Sequence, residues 1–171
     1  MSKKKLVLSL LSAFAVFNLQ YTFASINVPI HLVGPTTPGQ NIGVITLEDS
    51  FSGVLVTPNL HDLPTGVHGF HIHVNPNCNN QGLAAGGHLD PSQSDQHHGP
   101  YKKHGHLGDL PVLIVDKDGK ATLPTLAPRF TLKEIIGHSI MIHAGGDNYS
   151  DQPEKLGGGG ARIACGIIKS T

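Results

Sequence analysis

Gly66-Val67-His68-Gly69-Phe70-His71-Ile72-His73-Val74 alternates as a β-strand does, and its reading decides both the fold class and the place to look for function. Successive side chains of a strand leave on opposite faces. His71 and His73 therefore share one face about 7 Å apart, while His68, Phe70, Ile72 and Val74 take the other. Two imidazoles so spaced can converge on one ion. His68, on the core face beside Phe70, reads instead as a buried, hydrogen-bonded structural histidine.

Outward from this stretch the pattern stays β. Ile26, Val28, Ile30 and Leu32 alternate with Asn27, Pro29 and His31, and short apolar or alternating runs follow over 41–47 and 53–60. Runs at 112–115 and 121–126 flank Asp116-Lys117-Asp118-Gly119, a hairpin signal in which glycine supplies positive φ. Runs at 140–143 and 162–168 complete an all-β sandwich or barrel pattern. One short helix is expected where Thr131 and Glu134 form a capping box, with Gly137 at its end. Two long segments carry no strand signal, 75–108 with most of the histidines and 144–160 ending in four glycines. Loops of that length inside a compact domain are read here as functional.

The N-terminus reads separately. Lys3, Lys4 and Lys5 precede an apolar run over 6–17, too short for a comfortable membrane span, and Thr22-Phe23-Ala24 offers a cleavage site before Ser25. Residues 1–24 are expected to be a cleaved export signal, and 25–171 a single β domain. Without the three lysines, the balance of 12 Lys plus Arg against 12 Asp plus Glu turns acidic by about three charges. No basic run survives, which argues against nucleic-acid binding, and no membrane partner is expected. The 21 Gly, 12 Pro and absence of Trp favour turns and short strands over long helices. The two cysteines, Cys78 and Cys165, both lie in the exported part and are read as one disulfide, stabilising by roughly 4 to 5 kcal/mol in the chain-entropy picture.

Of the 12 histidines, eight fall between His68 and His106, together with Asp90, Asp95 and Asp109. That density exceeds the needs of one ion and is read as two metals. His71, His73, His143 at a strand end, and His88 in Gly86-Gly87-His88-Leu89-Asp90-Pro91 make a four-nitrogen set suited to Cu(II). His97 or His98, His106 and Asp109 supply nitrogen and oxygen for zinc, closing a tetrahedron only if His88 or another residue is shared. Asp90 and Asp95 read as turn caps, and His31, His61 and His138 as surface or packing residues.

Five motifs in register, His68 to His73, Gly86 to Pro91, His106-Leu107-Gly108-Asp109-Leu110-Pro111, Gly145-Gly146-Asp147-Asn148-Tyr149-Ser150-Asp151, and Gly157 to Gly160 followed by Ala161-Arg162-Ile163-Ala164-Cys165-Gly166, resemble the bacterial periplasmic copper/zinc superoxide dismutases. The resemblance spans nearly the whole exported chain. It implies a Greek-key antiparallel β-sandwich or barrel, one copper and one zinc per subunit, and conversion of two superoxide anions and two protons to dioxygen and hydrogen peroxide. It implies a periplasmic location, a protective role there, and a possible homodimer. His71, His73, His88 and His143 would bind copper; His88, His97, His106 and Asp109 would bind zinc, with His88 bridging. His97 is preferred to His98 because the family's histidine stands two residues before a Gly-Pro, here Gly99-Pro100. Asp147 would hold His71 and His97 from behind. Arg162 would guide the anion, and His88 would deliver a proton, so these two are the catalytic residues. Cys78 and Cys165 match the family's disulfide.

Other classes make different demands. A zinc hydrolase needs an open zinc position, and the His88, His97, His106 and Asp109 group looks closed. A cupredoxin needs a Cys ligand and a weak axial one, and only Met141 is left to supply it. A metal store would need no Arg162. Lys155 could steer anions, although a solvated surface lysine is an equal reading.

Overall fold

The structure, a computed structural model, describes residues 23–34 and 38–170. Apart from residues 23 and 24, the expected export signal lies outside them. Among the described residues, no helix is long and apolar enough to cross a membrane.

Among the described residues nine strands form, all pairing antiparallel: β1 (Ser25–Leu32), β2 (Asn41–Ser50), β3 (Gly53–Leu60), β4 (Gly66–His68), β5 (Phe70–His73), β6 (Leu113–Val115), β7 (Thr125–Ala127), β8 (Ser139–His143) and β9 (Arg162–Ile167). Seven of them make one sheet in the order β5-β8-β9-β1-β2-β3-β7, and β4 pairs with β6 in a small second sheet. The meander β1-β2-β3 has β9 beside β1, brought back by a long connection, which is the Greek-key arrangement. The sheet curls into a half-barrel around Ile26, Val28, Ile30, Ile45, Leu47, Val54, Val56, Phe70, Ile72, Ile140 and Ile142, all buried. Each such side chain contributes about 1.5 to 3 kcal/mol by leaving water.

Three details depart from the sequence reading. The stretch 66–74 is two strands, because the chain changes sheets at Gly69: β4 pairs with β6 and β5 with β8. A Cβ at Gly69 would lie 3.2 Å from both the His71 ring and Gly146 O, a tight fit that favours glycine at the crossing. The turn at Asp116 closes, with Asp116 N–H donating to Lys120 O over 2.8 Å, but its arms part, β6 to β4 and β7 to β3. Third, residues 121–124 stay outside a strand apart from a single bridge between Leu60 and Ala121. Cross-strand packing, which a local alternation does not encode, decides these pairings. The helix α1 (Leu132–Ile135) carries the capping box of Thr131 and Glu134, and Gly137 follows at φ 86°. Two short 3₁₀ turns, Leu83–Ala85 and Lys155–Gly158, fall inside the long loops.

β8 sorts its side chains cleanly. Ile140 and Ile142 enter the main core, whereas Met141 packs outside it with Cys165, Ala85 and Cys78. The Cys78–Cys165 disulfide, 87 residues apart with Cα atoms at 5.8 Å, fastens the loop after β5 to β9 on that outer face. Its reduction is expected to lower the melting temperature by about 10 °C or more, from roughly 4 to 5 kcal/mol of lost constraint, and to speed proteolysis of the 75–88 loop. Calorimetry on protein with blocked thiols checks this; an unchanged melting temperature contradicts it.

Candidate metal centre

The metal-facing side of β5 is built from its free edge. β8 pairs with one edge of β5, and the long loop covers the other: Ile72 N–H donates to Gly108 O, Leu89 N–H to Ile72 O, and Val74 N–H to Gly87 O, all within 3.0 Å. These bonds set His88 opposite His73 and Asp109 opposite His71. The loop is thus delivered in register, as a strand would be.

His71, His73, His88 and His143 each offer a ligand atom, and the four atoms lie within 4.8 Å of one another. All four residues are buried. The His73 Nδ1 donates to Gly86 O over 2.8 Å and His143 Nδ1 faces Gly160 O at 3.3 Å, so their Nε2 atoms meet at 3.3 Å. His71 is held the other way, by Nε2 on Asp147 Oδ2 at 2.9 Å, which leaves its Nδ1 toward the group. Burial pushes His71 down to about 3, His73 to about 2 and His143 to about 4, each reinforced by the neighbouring His88. The rings are therefore neutral near pH 7, as metal ligands must be.

A second group, His71, His88, His97 and Asp109, is equally tight and equally buried. His71 and His88 are common to both, the latter with Nδ1 at 3.0 Å from Asp109 Oδ1. His71 stands here where the sequence reading has His106. His106 lines the same pocket, its Nδ1 3.5 Å from Asp109 Oδ1 and its ring centroid 5.2 Å from that of His88. His97 is fully buried, and His98 is exposed with Nδ1 near His104 O. Burial works against a charged His97, but the carboxylates 3.1 Å from its Nδ1 (Asp109) and 2.7 Å from its Nε2 (Asp147) outweigh it and raise the ring to about 9. Asp109 is buried too, yet the imidazoles of His106, His88 and His97 around it hold it well below the usual carboxylate range.

Asp147 ties the two groups together. Its side chain is fully buried and its two oxygens take His71 Nε2 and His97 Nε2, with Tyr149 N–H donating to Oδ1 over 2.7 Å. The approach leaves no room: a Cβ at Gly157, where φ is 71°, would fall 1.9 Å from Asp147 Oδ1. Arg162, half-buried, donates to Gly82 O and to Gly86 O, the latter also the acceptor of His73.

The donor set itself tests whether metal belongs here. Among the described residues, five buried side-chain polar atoms lack a hydrogen-bond partner, and three are His71 Nδ1, His97 Nδ1 and His106 Nδ1. An unmet buried polar atom costs about 1 to 3 kcal/mol, so three around one pocket mark places for ligands. Imidazole nitrogen with one carboxylate fits copper and zinc.

A family model of copper/zinc superoxide dismutase matches residues 41–168. The chain belongs to the copper/zinc superoxide dismutases. It is 48% identical over 164 residues to the copper/zinc enzyme of Francisella tularensis subsp. holarctica, covering 86% of this chain and 88% of that protein. To the enzyme of Haemophilus parainfluenzae it is 52% identical over 154 residues, 85% and 82% of the two lengths. The structure resembles the copper/zinc superoxide dismutase from Brucella abortus, with a TM-score of 0.81 and 44% identity over 85% of this chain and all of that one. It also resembles the monomeric copper, zinc superoxide dismutase from Salmonella enterica, with a TM-score of 0.75 and 50% identity at the same coverage. As a member of this family the chain is an oxidoreductase that uses copper and zinc to dismutate superoxide.

Sequence reading missed several supports of the superoxide dismutase site. The Gly86 and Gly160 carbonyls orient His73 and His143, and no side chain announces a backbone oxygen. His68 was read as structural, and its nitrogens lie 2.8 Å from His143 O and 2.7 Å from Pro64 O. Asp90 caps a turn, accepting from Ser92, Ser94 and the Asp95 N–H.

Proposed function

We propose that His71, His73, His88 and His143 hold copper and that His88, His97, His106 and Asp109 hold zinc, with His88 shared. The observation that carries this is the pair of tight donor groups with His71 and His88 in both, His71 having its Nε2 committed to Asp147. His71 has one free nitrogen and can serve only one ion; His106, with its unpartnered Nδ1, is then the donor left on the Asp109 side. When bound, copper supplies one-electron cycling that oxidises one superoxide to dioxygen and reduces a second to hydrogen peroxide, while zinc supplies charge without redox chemistry.

The chain's own residues do the rest. Arg162 is fixed by two backbone carbonyls beside the copper histidines, so its charge stands where a small anion must arrive and its fork can orient it. His88 is 8% exposed, and burial pushes it down, so a proton taken at Nε2 is readily given up to a reduced substrate. Asp147 and Asp109 hold the imidazole rings in place. Deleting His88 and His97 in turn, with copper and zinc titrated separately, tests the assignment: loss of His88 should weaken both ions and loss of His97 zinc alone.

Asp147→Asn is expected to weaken zinc binding by roughly 10 to 100 fold, since the carboxylate fixes the rings it touches and raises their basicity. Zinc retained unchanged in dialysis against a chelator contradicts this.

The proposal extends to setting. Residues 1–24 act as an export signal, 25–171 as the mature domain, and the protein guards the periplasm against superoxide; the basic and apolar N-terminus and the disulfide support this. Edman sequencing of periplasmic protein should begin at Ser25. Each metal group is complete within one chain, so neither needs a second copy; sedimentation equilibrium decides between a monomer and a homodimer.

A further inference from the structure

We propose that Arg129 is a positioning residue for zinc, clasping the neck of the loop that carries His97 and His106. Its guanidinium donates to Gly99 O at 3.2 Å, to His106 O at 3.0 Å and to Gly105 O at 2.9 Å. These three carbonyls belong to the two ends of one excursion. Between them lie Tyr101, Lys102, Lys103 and His104, all exposed, so the loop body has little else to hold it. This inference rests on the reading of His97, His106 and Asp109 as zinc ligands.

The clasp acts on both ends at once. At the first end, Gly99 N–H donates to Asp109 Oδ2 at 3.1 Å, two residues after His97. At the second, His106 N–H donates to Gln96 O at 3.0 Å, and His106 O accepts from Asp109 N–H as well as from Arg129. A guanidinium suits this task because its donors sit in one rigid plane, whereas a lysine presents a single point charge. The hinge positions fit too: Gly99 and Gly105 have φ of 73° and 117°, and a Cβ at Gly99 would strike the Tyr149 ring at 2.6 Å. No carboxylate within ion-pair distance is recorded for Arg129 among the described residues, so its charge is directed at the loop carbonyls. The copper group draws its ligands from β5, β8 and the His88 turn, and the Arg129 hydrogen bonds go instead to Gly99, Gly105 and His106.

Zinc and copper affinities should therefore separate. Apo protein is titrated with zinc and, separately, with copper, each against a competing chelator, for the parent, Arg129→Leu, Arg129→Lys and His106→Ala. Arg129→Leu should lower zinc affinity by about tenfold, toward the lower range for supports outside the ligand shell, with copper affinity within about twofold of the parent. Arg129→Lys should recover part of the loss, and it carries the same test should the leucine variant not fold. Unchanged zinc affinity, or equal weakening of both metals, overturns the proposal. His106→Ala keeps the two ideas apart: if it retains full zinc affinity the ligand assignment fails, whereas if it loses zinc while Arg129→Leu does not, only the clasp fails.

Discussion

His88→Ala is expected to lower zinc affinity and superoxide removal together, each by about 100-fold or more, because in the proposed assignment this one imidazole serves both ions and also carries a proton. A ligand of a single ion would not show this coupling. His88 sits between the groups, 3.9 Å by ring centroid from His71 and 5.0 Å from His73 on one side, and 3.0 Å by Nδ1 from Asp109 on the other. The matched control is His98→Ala. That ring is exposed, with its Nδ1 3.3 Å from a loop carbonyl, so its loss should leave metal content and rate within about twofold. Chelator competition and stopped-flow superoxide decay read both effects. Equal damage from the two substitutions would overturn the choice of His97 over its neighbour.

Arg162→Ile is expected to cut the second-order rate constant by about tenfold or more at low salt while leaving copper and zinc content as in the parent. Among the described residues the guanidinium is held by the Gly82 and Gly86 carbonyls and no carboxylate pairs with it. In the proposed role it would supply both long-range attraction and final orientation. Arg162→Lys should restore part of the rate, since it returns the charge without the planar fork. The isoleucine variant should also respond less to ionic strength, because screening acts on the charge that has been removed. A parent-like rate and salt dependence in the variant would mean that this residue does not guide the anion.

Much of the fold and the donor set is legible in the residues. Alternation located β1, β2 and β3, because each buries one face of a sheet and shows the other, whereas β8 and the middle of β9 are buried on both faces and show only as short apolar runs. The spacing of His71 and His73 placed both on the face opposite Ile72, and their convergence in one donor group while Ile72 enters the apolar core agrees. Pairing was less legible: nothing local to Gly69 or to Asp116-Lys117-Asp118-Gly119 says that the flanking strands join different sheets, because that outcome depends on residues far along the chain. The choice between His97 and His98 illustrates the same limit. Adjacent identical side chains look alike in sequence, and only the fold buries one against Asp147 and leaves the other in water. Arg129 gave no signal either, since its partners are backbone carbonyls 23 to 30 residues away.

The central claim, two ions sharing His88, is tested most directly by diffraction from protein loaded with both metals, with anomalous data at the copper and zinc edges. The account predicts two peaks per chain. Copper should lie within bonding distance of His71, His73, His88 and His143, and zinc at about 2.0 to 2.2 Å from His88, His97, His106 and Asp109. A single peak, or two peaks of which only one touches His88, would contradict it.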